Sequence, residues 1–132
     1  MSLAKKAGTL LLFTVLPVLA VGCGGGSPPA VSPQHAVLSQ IHDMYGLYIK
    51  SQQKAPSQLS DLSKKQYEGV YPRGVAALKQ GSYVMVWGVN SKDAGTVLAY
   101  EKDAPTKGGA VLMADGTVKD MTAEEFKAAK KS

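Results

Sequence analysis

The chain has 132 residues, with 15 Lys and Arg against 10 Asp and Glu and a formal net charge of +5. That length holds one domain and excludes a large multi-domain enzyme, and at 45% hydrophobic and 19% charged residues the chain is not a disordered tail. One cysteine excludes an internal disulfide and a zinc site built from several thiolates.

The first segment is a signal rather than part of the fold. Lys5 and Lys6 make a short positive region, and the 16 residues from Ala7 to Gly22 carry no charge. Within them, Leu10 to Leu16 is strongly apolar and small residues lead into Cys23. Positive, apolar and small, in that order, is the pattern of a secretory signal. A spanning helix needs about 20 apolar residues, so this stretch, interrupted by Pro17, is too short for a permanent span.

Leu19-Ala20-Val21-Gly22-Cys23 resembles the lipobox of bacterial lipoproteins. The resemblance implies a signal peptide over residues 1–22, cleavage before Cys23, and a diacylglyceryl group on its thiol with acyl chains such as palmitate. The family prefers a larger aliphatic residue where Ala20 stands. Each buried methylene contributes about 0.8 kcal/mol, so two or three acyl chains anchor a protein stably where one does not. In Gram-negative lipoproteins an aspartate after the cysteine favours the inner membrane. Gly24 stands there, and the resemblance points to a cell-envelope protein of the outer membrane.

Residues 24–33, Gly-Gly-Gly-Ser-Pro-Pro-Ala-Val-Ser-Pro, have the composition of a tether, flexible at the glycines and extended at the prolines. The expected organisation is signal peptide 1–22, lipidated Cys23 and tether to 33, and one α+β domain over 34–132. Loss of Lys5 and Lys6 on cleavage leaves 13 basic and 10 acidic side chains, a formal +3. Beyond Lys64-Lys65 and Lys127, Lys130 and Lys131 the lysines are scattered, and Arg73 is the sole arginine. Nucleic-acid binding wants a basic stripe, so nucleic acid is not an expected partner.

Ser32-Pro33 has the form of a helix start, Ser32 capping and Pro33 at the first helical position. Val37, Leu38, Ile41, Met44, Tyr45, Tyr48 and Ile49 recur at three- and four-residue steps, which predicts one apolar helix face to about Gln53. Gly46 lies opposite that face and weakens the helix by up to about 1 kcal/mol against alanine. Pro56 ends it. A short helix is expected over Gln58 to Lys65, capped by Ser57, with Leu59 and Leu62 inward. Tyr67 to Gly81, with Gly69, Pro72, Gly74 and Gly81, is expected to be irregular.

Ser82 to Val89 is rich in strand formers, with Tyr83, Met85, Trp87 and Val89 on one face. Asn90 to Gly95 is a turn, Thr96 to Tyr100 a strand, Lys102 to Gly108 a loop and Ala110 to Ala114 a strand. Asp115-Gly116 then fits a two-residue hairpin turn, which needs positive φ, and Thr117 to Asp120 is the return strand. Thr122-Ala123-Glu124-Glu125 is a capping box, Thr122 capping and Glu125 reaching back, with Met121 and Phe126 placed for a hydrophobic staple. Glu124 and Glu125 sit at the positive end of that short C-terminal helix and Lys127, Lys130 and Lys131 near its negative end. The expected fold is α+β: a long N-terminal helix packed on a small antiparallel meander, closed by a short helix.

A long helix leading to Ala55-Pro56-Ser57-Gln58-Leu59-Ser60-Asp61-Leu62 and then an antiparallel sheet resembles the soluble part of bacterial pseudopilins. Gly108 to Val118, a glycine pair, an apolar strand and an Asp-Gly turn, is similar to the closing hairpin of prepilin-like proteins of unknown function. The likeness covers roughly residues 34–126 and implies a pseudopilin-like fold. Pseudopilins begin with a prepilin peptidase site and a Glu-bearing apolar helix that builds the filament. Here a lipobox stands in that place and no Glu precedes Glu68, so filament assembly does not carry over. The loop Asp103 to Gly109, where some major pseudopilins hold calcium, has one acid and one lysine, too few oxygens for that ion.

No catalytic constellation stands out. Cys23 is committed to lipid, and no serine sits in a nucleophile motif with a base. Ser39 and His42 are three apart, the ordinary relation of a solvated helix flank. His35 and His42, seven apart, are separated by roughly 10 Å along a helix and cannot share a metal. Glu101, Asp103, Asp115 and Asp120 belong to a small sheet without the opposed pair a glycosidase needs, and Gly108-Gly109 lacks a phosphate-loop lysine. Tyr83, Met85 and Trp87 either pack beneath the long helix or present a platform for sugar or peptide.

The functional expectation is a lipid-anchored, non-catalytic envelope protein without cofactor or metal, acting by binding or scaffolding. Its partners are the membrane, through the anchor, and other envelope proteins. The alternatives are an accessory subunit of a secretion or pilus-like machine, and a small glycan- or peptide-binding envelope domain.

Overall fold

The computed structural model describes residues 31–131. The expected signal peptide, Cys23 and the tether as far as Ala30 lie outside the described residues.

Ser32 caps the first helix, α1 (Pro33–Gln52): its Oγ accepts from the His35 amide at 3.2 Å, and Pro33 occupies the first turn. Leu38, Ile41, Met44, Tyr45 and Tyr48 are buried along one face, as their spacing requires. The helix ends at Gln53, which turns left-handed at φ 56° and returns its amide to the Ile49 carbonyl.

The next stretch departs from the sequence reading. The expected helix from Gln58 to Lys65 is two pieces, α2 (Leu59–Leu62) and α3 (Lys65–Val70), and Ser57 is not its cap. Instead the Asp61 carboxylate accepts from the Ser57 amide at 2.9 Å and from its hydroxyl at 3.2 Å. Tyr67 to Gly81 is not irregular: most of it is α3 and α4 (Pro72–Gln80). The proline and glycines that suggested a loop mark helix ends and a contact. Pro72 opens α4 and Gly81 ends it. Gly74 sits within α4 because the helix crosses α1 there. A Cβ on Gly74 would stand 3.2 Å from the Gln40 Cβ, and the Gly74 amide donates to Gln40 Oε1 at 3.1 Å.

The expected strand from Ser82 to Val89 is shorter, β1 (Tyr83–Met85). The chain turns at Gly88, whose amide donates to the Pro56 carbonyl. Tyr83, Met85, Trp87 and Val89 nevertheless all contact the core beneath α1, so the strand ends while the apolar face continues. There follow β2 (Val97–Glu101), a helical turn α5 (Ala104–Lys107) inside the segment expected to be loop, β3 (Gly109–Met113), β4 (Val118–Met121) and α6 (Ala123–Ala128). The four strands pair antiparallel in chain order, β1-β2-β3-β4. The class is α+β, helices with a four-stranded antiparallel meander.

A bulge in β2 between Val97 and Ala99 settles which side chains face where. Leu98 and Ala99 both join the core under α1, with Ala110, Leu112 and Ala114. Val97, Val111 and Met113 face the other way and bury Ala104 and Phe126 of α5 and α6. The sheet is thus covered on both faces, which one short helix alone could not do for the second face. The tail adds to this side. The Val97 amide donates to the Lys130 carbonyl at 2.8 Å, and the Lys131 ammonium lies 4.2 Å from the Phe126 ring centroid.

The β3–β4 hairpin carries a further correction. Asp115-Gly116 is not a two-residue turn. The Gly116 amide donates to the Met113 carbonyl and the Met113 amide to the Thr117 carbonyl, a three-residue loop with positive φ only at Gly116, 93°. Asp115 can then bond the Thr117 amide with its side chain, at 2.9 Å, rather than adopt positive φ itself. The capping box of α6 is formed as written in the sequence: Glu125 N to Thr122 Oγ1 at 3.2 Å, Thr122 N to Glu125 Oε2 at 2.7 Å.

Candidate functional site

The face of α1 turned away from the core carries Asp43, Gly46, Leu47 and Lys50 at three- and four-residue steps. With His42 and Ile49, and flanked by Tyr71 and Ser91, they line an open groove of about 440 Å³. Leu47 is 43% exposed, a large apolar side chain left in solvent. Beside it, a Cβ placed on Gly46 would meet no atom of the domain within 4 Å. Glycine inside a helix costs about 1 kcal/mol against alanine, and no packing within the domain requires it here.

Charge is distributed along the groove. His42 Nδ1 is 3.8 Å from Asp43 Oδ1. The His42 ring is one-third exposed and lies against the hairpin: a Cβ on Gly116 would be 2.9 Å from its Cε1. Lys50 is exposed, and among the described residues its ammonium has no ion-pair partner. One end of the stripe is therefore acidic and the other basic, with an apolar centre.

The structure does not bring the two histidines together. His35 Nε2 sits 3.2 Å from Asp120 Oδ1, tying the start of α1 to β4. Ser39 is exposed. Asp115, bonded to the Thr117 amide, is held below the ordinary carboxylate range. Trp87 is half-buried against the core and is not among the groove residues. A second depression of about 420 Å³ lies by Glu101, Lys102, Asp103 and Lys107. Three of its charges have partners: Glu101 Oε2 accepts from the Ala110 amide at 2.7 Å, and Lys107 Nζ is 3.7 Å from Asp103. Among the described residues no cluster of three His, Cys, Asp or Glu could hold a metal ion, and no helix is long and apolar enough to cross a membrane.

The groove was not singled out from the sequence. Its signal was the pair Gly46-Leu47 on the polar side of an amphipathic helix, a glycine with no turn to make and a leucine off the apolar face. No protein-family model, curated protein or solved structure matches this chain.

Proposed function

We propose that the chain is a lipid-anchored protein of the bacterial cell envelope whose α+β domain works by binding rather than by catalysis. The observation that carries this reading is the position of Cys23. The only cysteine stands where an uncharged run of 16 residues stops, followed by a Gly- and Pro-rich segment that leads to the Ser32 cap of α1. Lipidation at Cys23 would place the membrane at one end of that tether and the domain at the other. The groove along α1 supplies a face for a partner.

Membrane fractionation of the wild type and Cys23→Ser tests this. The wild type is expected in the membrane fraction and the variant released from it. Equal partitioning of the two would refute the anchor.

A second reading, an accessory part of a secretion or pilus-like machine, is favoured by the order of a long helix, a four-stranded antiparallel meander and a closing hairpin with an Asp-Gly corner. It shares the anchor and differs in its partner. Co-purification of pilin-like or secretion proteins with the tagged chain would support it.

A further inference from the structure

We infer that the outer face of α1 pairs with the same face of a second copy of this chain, the two helices antiparallel about a two-fold axis passing between positions 46 and 47. The stripe Asp43, Gly46, Leu47, Lys50 is complementary to its own reverse. A two-fold interface brings each position against its counterpart on the same patch. Positions 43 and 50 are equidistant from the centre, so Asp43 of one copy stands level with Lys50 of the other, and the reciprocal pair forms at the other end. Leu47 meets Leu47 of the second copy beside the axis, which covers an exposed leucine. Gly46, on the other side of the axis, lets the backbones approach closely. That accounts for a glycine whose absent side chain makes room for nothing in its own domain.

A parallel arrangement would set Asp43 against Asp43 and Lys50 against Lys50, so charge selects the antiparallel one. A different partner would have to present the same acidic, apolar and basic order, which a second copy does by symmetry. One helix face is a small contact and weak in dilute solution. Confinement to a membrane surface raises the effective concentration and favours the pair. The geometry itself does not depend on the anchor.

The test is oxidative cross-linking of the full chain carrying Leu47→Cys, in membranes. Val70→Cys, at a 63% exposed residue outside the stripe, is the control. Leu47→Cys is expected to give a disulfide dimer and Val70→Cys a monomer. A dimer of the wild type would mark a free Cys23. The comparison is then read in the Cys23→Ser background with the chain concentrated in solution to replace confinement at the membrane, so failure of the anchor and failure of the pairing are separate results. Adding Asp43→Lys to Leu47→Cys is expected to lower cross-linking roughly tenfold, since two opposite-charge contacts become like-charge contacts. Adding Lys50→Asp as well is expected to restore it. These positions are exposed, and circular dichroism of each variant is the check that it folds. Equal cross-linking at positions 47 and 70, none at 47, or no recovery in the double reversal would overturn the pairing.

Discussion

The Tyr45 hydroxyl donates a 2.6 Å hydrogen bond to the carbonyl of Val89, fastening the middle of α1 to the segment that follows β1. Both residues are almost wholly buried, so the bond satisfies a carbonyl that water cannot reach. It also explains how Val89 stays in the core although the strand has ended at Met85. Tyr45→Phe removes the donor and leaves that carbonyl unpaired. The expected loss is about 1–3 kcal/mol in urea unfolding, with an unchanged m value. An unaltered midpoint would mean that the bond contributes nothing.

The same phenol makes stability depend on alkali. Burial pushes Tyr45 up to about 12 from its ordinary 10.0. The neutral form is favoured in the folded chain, so this contribution is complete below about pH 10 and is lost as the pH rises towards about 12. Tyr45→Phe is expected to flatten that part of the stability profile. A drop of equal size in both proteins would assign it to other groups.

Two carboxylates act in the opposite direction. Asp61 is lowered chiefly by the Ser57 amide and Asp115 chiefly by the Thr117 amide. Each contributes stability above the ordinary carboxylate value of 3.8, and that stability is lost as the pH falls below it through the depressed folded value. Asp61→Asn and Asp115→Asn are each expected to shallow the acid limb of thermal unfolding. An acid limb identical to the wild type would count against these bonds.

Two glycines should respond with opposite signs to alanine. Gly46→Ala gains helix propensity and meets no atom, so the domain is expected to be about 0.5–1 kcal/mol more stable. Gly116→Ala must hold φ near 93° and displace the His42 ring, at a cost of about 1–3 kcal/mol. Thermal unfolding of both variants checks this, and a destabilising Gly46→Ala would show a hidden packing role.

Thr122 and Glu125 satisfy each other's amides at the start of α6, whose Phe126 is buried under the second face of the sheet. Thr122→Ala is expected to cost about 1 kcal/mol and Thr122→Ser much less. Equal losses in the two variants would point to the methyl group rather than to the cap.

Elements governed by local rules could be read from the sequence. Ser32 and Pro33 open α1, five of its seven periodic apolar residues are buried while Val37 and Ile49 are half-buried at the edges of the face, and Thr122 with Glu125 builds the capping box. What was missed depends on tertiary contact. Gly74 looked like a breaker because its reason, the crossing with Gln40 and Ile41, lies 34 residues away. The hairpin loop came out one residue short because Asp-Gly also suits the last two positions of a three-residue loop, where only the glycine takes positive φ. The β2 bulge, which sends both Leu98 and Ala99 to one side, breaks the alternation from which strand faces are read. The groove went unread because Gly46 and Leu47 are each ordinary alone, and only their shared exposure on a folded helix sets them apart.

The anchor is tested most directly by intact-mass spectrometry of the protein isolated from membranes, wild type beside Cys23→Ser. A mature chain beginning at Cys23 and carrying two or three acyl chains, absent from the variant, is the predicted result. A mass beginning at Met1, or an unmodified chain free of the membrane, would contradict it.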